Sequence, residues 1–93
     1  MRIIGYLEHP VLKITVFKMD DRVSVKFESG LYEQTYKFRS GEGVESLEDV
    51  KNLVDEPFLQ GVLQQLKEMH ETRIQGLARL QPGSGTEIFE EII

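Results

Sequence analysis

The feature that most constrains this chain lies in residues 11–39. There apolar and polar side chains alternate with period two, in segments interrupted by short turn signals at Asp20-Asp21 and Ser29-Gly30. A two-residue loop at Asp20-Asp21 sets Met19 opposite Arg22, and therefore Val16 opposite Val25 and Ile14 opposite Phe27. Every resulting apolar pair falls on one face. A one-residue slip would turn one strand's whole apolar set over, so the agreement between turn position and alternation tests the register. The same reasoning at Ser29-Gly30 sets Phe27 opposite Tyr32 and Val23 opposite Tyr36, with Lys26 opposite Glu33 on the other face. Gly30 supplies the positive φ that such a turn needs. Asp-Asp is less suited, which leaves room for a first turn one residue longer.

Residues 2–8 are apolar enough to add a further strand, with Ile3, Gly5 and Leu7 on the face of Leu12, Ile14 and Val16. The His9-Pro10 step opposes the tightest form of the connection, and Gly5 in mid-strand predicts a bulge or a close backbone contact. Three to four strands in an antiparallel meander are expected.

After residue 40 the pattern changes. Ser-Gly-Glu-Gly-Val-Glu reads as a mobile connector, and Ser46 with Asp49 three positions on forms a variant capping box. A short helix follows, carrying Leu47, Val50, Leu53 and Val54. Asp55 can cap a second helix with Pro57 in its first turn, where a missing N–H is harmless. Its apolar positions run from Phe58 and Leu59 through Val62, Leu63, Leu66 and Met69 to Ile74, Leu77 and Leu80. Pro82-Gly83 should stop it near Gln81. The fold expected is α+β: a meander followed by a short and a long C-terminal helix packed on one sheet face. Residues 1–85 form a single domain, and residues 86–93 an acidic and apolar tail.

Lengths then expose a mismatch. Residues 57–80 as one helix span about 36 Å, whereas an eight-residue strand spans about 27 Å. The helix should overrun the sheet, leaving Ile74, Leu77 and Leu80 in need of cover from the tail or from a second copy. A near-heptad series (Leu59, Leu66, Arg73 and Leu80 with Leu63, His70 and Leu77) is compatible with an antiparallel dimer seam. A homodimer is the expected partner state.

Composition removes several chemistries. The 93 residues include no cysteine, so a disulfide scaffold, a thiolate zinc site and a cysteine nucleophile are excluded. Neither metal nor cofactor is expected. Glu42, Glu45, Glu48 and Asp49, and again Glu87, Glu90 and Glu91, lack the spacing of a calcium loop. Gly41 and Gly43 lack the third glycine and the strand-to-helix setting of a phosphate cradle. His70 has no serine, cysteine or second histidine at a helical neighbour position, and His9 reads as a turn residue, so no catalytic residue is expected. The apolar runs are too short for a membrane span and the start lacks a basic-then-apolar leader, which makes the cytoplasm the expected compartment.

Charge is unevenly placed. Residues 1–40 carry seven basic groups against five acidic ones, and residues 41–93 four against eleven. An acidic total opposes nonspecific attachment to duplex nucleic acid but leaves room for a local basic face. The expected outer sheet face carries Arg2, Ile4, Tyr6, Lys13, Thr15, Phe17, Arg22, Ser24, Lys26, Glu28, Glu33, Thr35, Lys37 and Arg39. Cations interleaved with Tyr6 and Phe17 are the ingredients of a single-stranded nucleic-acid platform. In topology alone, strands then helix, the chain resembles PUR repeats and a class of single-stranded DNA-binding transcriptional coactivators. That resemblance implies a curved sheet that binds nucleic acid and a dimer, and no motif of either family is matched residue by residue. Two functions therefore stand open: an interaction or assembly module that self-associates or docks another protein, and a single-stranded nucleic-acid binder.

Overall fold

The computed structural model describes residues 1–80. Its elements are β1 (Arg2–Leu7), β2 (Lys13–Met19), β3 (Arg22–Ser29), β4 (Tyr32–Phe38), α1 (Leu47–Leu53) and α2 (Glu56–Leu80), with the strands in one antiparallel sheet in chain order. This is the α+β meander that the alternation predicts. Both helices pack on one face. The tail at residues 86–93 lies outside the described residues.

The β2–β3 register agrees pair for pair with the sequence reading: Met19 faces Arg22, Val16 faces Val25 and Ile14 faces Phe27. Asp20 accepts φ +54°, a left-handed conformation that Asp tolerates better than most residues, so the turn is the tight one. The β3–β4 register differs from expectation by two residues. Gly30, at φ +60°, is the first central residue of its turn and Leu31 the second. Ser29 therefore faces Tyr32, Phe27 faces Gln34, Val23 faces Phe38 and Lys26 faces Thr35. A slip of two restores every side chain to its face, so apolar alternation is blind to it.

At β1 the difference changes sides. Leu7 faces Ile14 and Gly5 faces Val16, as the pattern predicts, but the register shifts between Ile3 and Gly5. Ile3 thereby comes to face Phe17 on the outer side, while Ile4 packs towards the core. The bulge and the close contact expected at Gly5 are both present. A Cβ built there would lie 2.6 Å from Leu47 Cδ2, so α1 rests directly on the β1 backbone. The connection from β1 to β2 takes a longer form over residues 8–12. In it His9 Nδ1 accepts from the Val11 and Leu12 backbone N–H groups, each at 3.2 Å.

The core joins Ile14, Val16, Val23, Val25 and Phe27 of the sheet to Val50 and Val54 of α1 and Val62 and Leu66 of α2. Phe27 anchors an aromatic cluster, with its ring centroid 5.8 Å from those of Tyr36 and Phe58. Both predicted caps form: Ser46 Oγ accepts from Asp49 N at 3.2 Å and Asp55 Oδ1 from Phe58 N at 3.0 Å. The connector is built rather than loose. Val44 is buried, and Arg39 N donates to Glu42 Oε1 at 2.7 Å while Gly41 N donates to Glu45 Oε2 at 3.2 Å. Asp49 Oδ2 takes the Glu45 N–H at 3.0 Å, completing the reciprocal half of the box one residue earlier than the usual pattern.

Candidate functional site

Two surfaces combine chemistry with access: the sheet face away from the helices, and the far end of α2. On the outer face the pleat brings together Tyr6, Lys13, Phe17, Arg22, Lys26 and Lys37. Arg2 does not join them. The β1 bulge sets Arg2 opposite Lys18 on the helix side, where Lys18 Nζ donates to the Glu45 carbonyl at 3.1 Å. Arg39 follows the last residue of β4, and its backbone N–H is taken by Glu42.

Two of the remaining residues are engaged with their neighbours. Lys26 Nζ lies 3.6 Å from Glu28 Oε1 and 5.6 Å from the centroid of the Phe17 ring, so it caps the ring that a base would stack on and meets a carboxylate at the same time. The β3–β4 shift also sets Glu28 opposite Glu33, concentrating negative charge at the end of the face near Lys13. Tyr6, at 56% exposure, is the open aromatic. Arg22 and Lys37 line a small hollow of ≈ 80 Å³ with Phe17, Ser24, Met19 and Met1. The two methionines were not among the residues singled out from sequence; Met19 shares the parity of Phe17 and was legible, whereas Met1 precedes the first strand.

The second surface follows from the path of α2. Leu59 borders a hollow with Leu7 and Ile14 of β1 and β2, Phe58 stacks near Phe27 and Tyr36, and the Val62 carbonyl accepts from Gln34 Nε2 at 2.9 Å. Farther on, His70 Nδ1 and the Tyr32 hydroxyl of β4 share a hydrogen bond at 2.8 Å. The helix thus crosses from the β1/β2 side and ends its sheet contacts on β4. Met69 is its last apolar residue packed against the core. Ile74, Leu77 and Leu80 continue at helical spacing and stand 49%, 41% and 78% exposed. The expected overrun is present.

The heptad seam suggested by the sequence is divided by this path. Leu59 and Leu66 pack on their own sheet, so a coiled coil along the whole helix is excluded, and Leu63 and the overhang are what remain for a partner.

Elsewhere the chemistry is committed. The carboxylates of Glu42, Glu45 and Asp49 hold backbone N–H groups. Among the described residues, no group of three or more His, Asp or Glu side chains is placed to hold a metal ion. An open hollow of ≈ 570 Å³ lies at the β1–β2 corner beside His9, whose Nδ1 is occupied by the turn. Among the described residues, no helix is long and apolar enough to cross a membrane. No protein-family model, curated protein or solved structure matches the chain.

Proposed function

We propose that the chain is an interaction and assembly module without catalytic activity, acting in the cytoplasm and self-associating through the end of α2 that overhangs the sheet. The observation that carries this reading is the exposed series Ile74, Leu77 and Leu80, which prolongs the core-facing stripe of Val62, Leu66 and Met69 past the last sheet contact. Complete burial of one such side chain stabilises by about 1.5–3 kcal/mol, and a two-fold dimer gains each contact twice. A helical segment this short is marginal in water without packing. Sedimentation equilibrium should show a dimer in the micromolar range that Leu77→Glu dissociates while the sheet-packed core stays folded, read from an unchanged urea midpoint at low protein concentration. A strict monomer at high micromolar concentration would end the proposal.

A second reading, single-stranded nucleic-acid binding, draws on the outer sheet face, which none of the described elements covers. Lys13, Arg22 and Lys37 would follow phosphates and Tyr6 would stack a base. The engagement of Lys26 and Phe17 with each other weighs against it. Fluorescence anisotropy with a labelled single-stranded oligonucleotide separates the two. Micromolar affinity that falls steeply with salt and is lost in Lys13→Glu/Lys37→Glu supports the second reading, and absence of binding at low salt removes it.

A further inference from the structure

Resting on the self-association reading, we propose that the second copy joins edge to edge along β4, in an antiparallel pairing with Thr35 opposite Thr35 of the second copy. The two sheets then form one continuous sheet, with the α2 overhangs meeting at the seam.

The two edges of the sheet differ in what they offer a partner. β1 is bulged between Ile3 and Gly5 and backed by Leu47, and bulges are a known protection against edge pairing. β4 is regular from Tyr32 to Phe38, pairs with β3 along its whole length, and has no strand on its other side among the described residues.

Charge selects the register. A two-fold axis perpendicular to the sheet keeps both helix layers on one side and pairs residues of like facing. With the axis at Thr35, Glu33 lies opposite Lys37 of the second copy, and symmetry repeats that opposite-charge pair on the other side of the axis. An axis at Glu33 or Lys37 sets like charges against each other. At Gln34 or Tyr36 both Glu33–Lys37 pairs are lost, and the Tyr36 alternative offers Glu33 only Arg39, which lies beyond the strand. Opposite charges directly across an antiparallel pair are favourable and like charges unfavourable, so charge complementarity singles out Thr35.

The helix side agrees. The same register sets Tyr32 opposite Phe38 and Gln34 opposite Tyr36 of the second copy, giving new neighbours to aromatic side chains that are only partly buried in one chain. It also brings the seam to the strand on which α2 makes its last sheet contact, through His70 and Tyr32, so Ile74, Leu77 and Leu80 start at the boundary with the second copy.

The chain has no native cysteine, which permits a direct test on the full chain. Thr35 is exposed, so Thr35→Cys should fold normally. Directly opposed residues in an antiparallel pair have Cα atoms about 4.5–5.5 Å apart, within disulfide reach. Mild oxidation should convert Thr35→Cys to a covalent dimer on a non-reducing gel. Lys37→Cys alone should not cross-link, while a mixture of Glu33→Cys and Lys37→Cys chains should. Glu33→Lys should raise the dimer dissociation constant about tenfold, and adding Lys37→Glu should restore it.

A dimer by sedimentation that Leu77→Glu breaks, but in which Thr35→Cys does not cross-link, overturns the β4 seam and leaves helix-mediated association standing. A strict monomer removes both. Cross-linking that appears only after residues 81–93 are deleted means that this segment occupies the edge, and overturns the proposal for the full chain.

Discussion

The two halves of α2 obey one sequence rule and meet different fates. In the first half, Phe58, Leu59, Val62, Leu66 and Met69 repeat at helical spacing and find the sheet beneath them. In the second, Ile74, Leu77 and Leu80 repeat in the same way and find solvent. The residue types do not distinguish the halves. What separates them is the width of a four-stranded sheet, which the helix crosses and leaves at β4. An apolar stripe therefore specifies that a face will be covered and is silent on whether the same chain covers it.

The sharpest way to break this comparison is a pair of truncations at low protein concentration, where the chain is monomeric. Leu66→Ala removes a buried side chain and should cost about 2–4 kcal/mol in urea unfolding. Leu77→Ala should stay within about 0.5 kcal/mol of the parent. Equal losses would show that the overhang is packed within one chain.

A smaller effect is expected at the start of the packed half. Asp55→Ala deletes the acceptor for the Phe58 N–H and should cost about 1 kcal/mol, read from the same unfolding curves.

Two glycines sharpen the contrast further. A Cβ at Gly61 would meet nothing within 4 Å, and one at Gly76 only Arg79 Nη2 at 3.8 Å. Gly61→Ala should raise global stability by about 0.5–1 kcal/mol, as replacement of a mid-helix glycine does. Gly76→Ala should increase helical circular dichroism while leaving the urea midpoint unchanged, because the overhang can fray without unfolding the core. A shifted midpoint would show that the second half unfolds with the first.

The smallest effect belongs to the boundary between the halves. Tyr32→Phe removes the exposed hydrogen bond to His70 but keeps the two rings in contact. It should change stability by about 0.5 kcal/mol and speed amide exchange from residue 70 onward.

Local chemistry made much of the fold legible. The β2–β3 hairpin, the Ser46 and Asp55 caps and the core face of both helices depend on neighbours close in sequence, so spacing alone identifies them. The β3–β4 register escaped because a two-residue slip preserves every face, and the pairing of Lys26 with Glu33 was lost with it. Glu28 now faces Glu33, and Lys26 turns to Glu28 and Phe17. Arg2 left the outer face because of a bulge beside Gly5, where Leu47 of a distant element presses on the backbone. The connector looked loose because its glycines and glutamates are turn formers in isolation. Its order comes from Val44 entering the core and from carboxylates reaching back to nearby N–H groups.

The amino-acid sequence by itself determined which side of each regular strand is oily, where the helices begin, and that α2 is longer than the sheet can cover. All of these follow from periodicity, capping and rise per residue, which need no knowledge of the rest of the chain. Only the tertiary structure decided the strand offset at β4, the side taken by Arg2, and the edge over which α2 departs. Those depend on contacts between elements far apart in sequence, where alternatives differing by two residues or by a single bulge satisfy the same local pattern and are separated only by how the layers meet.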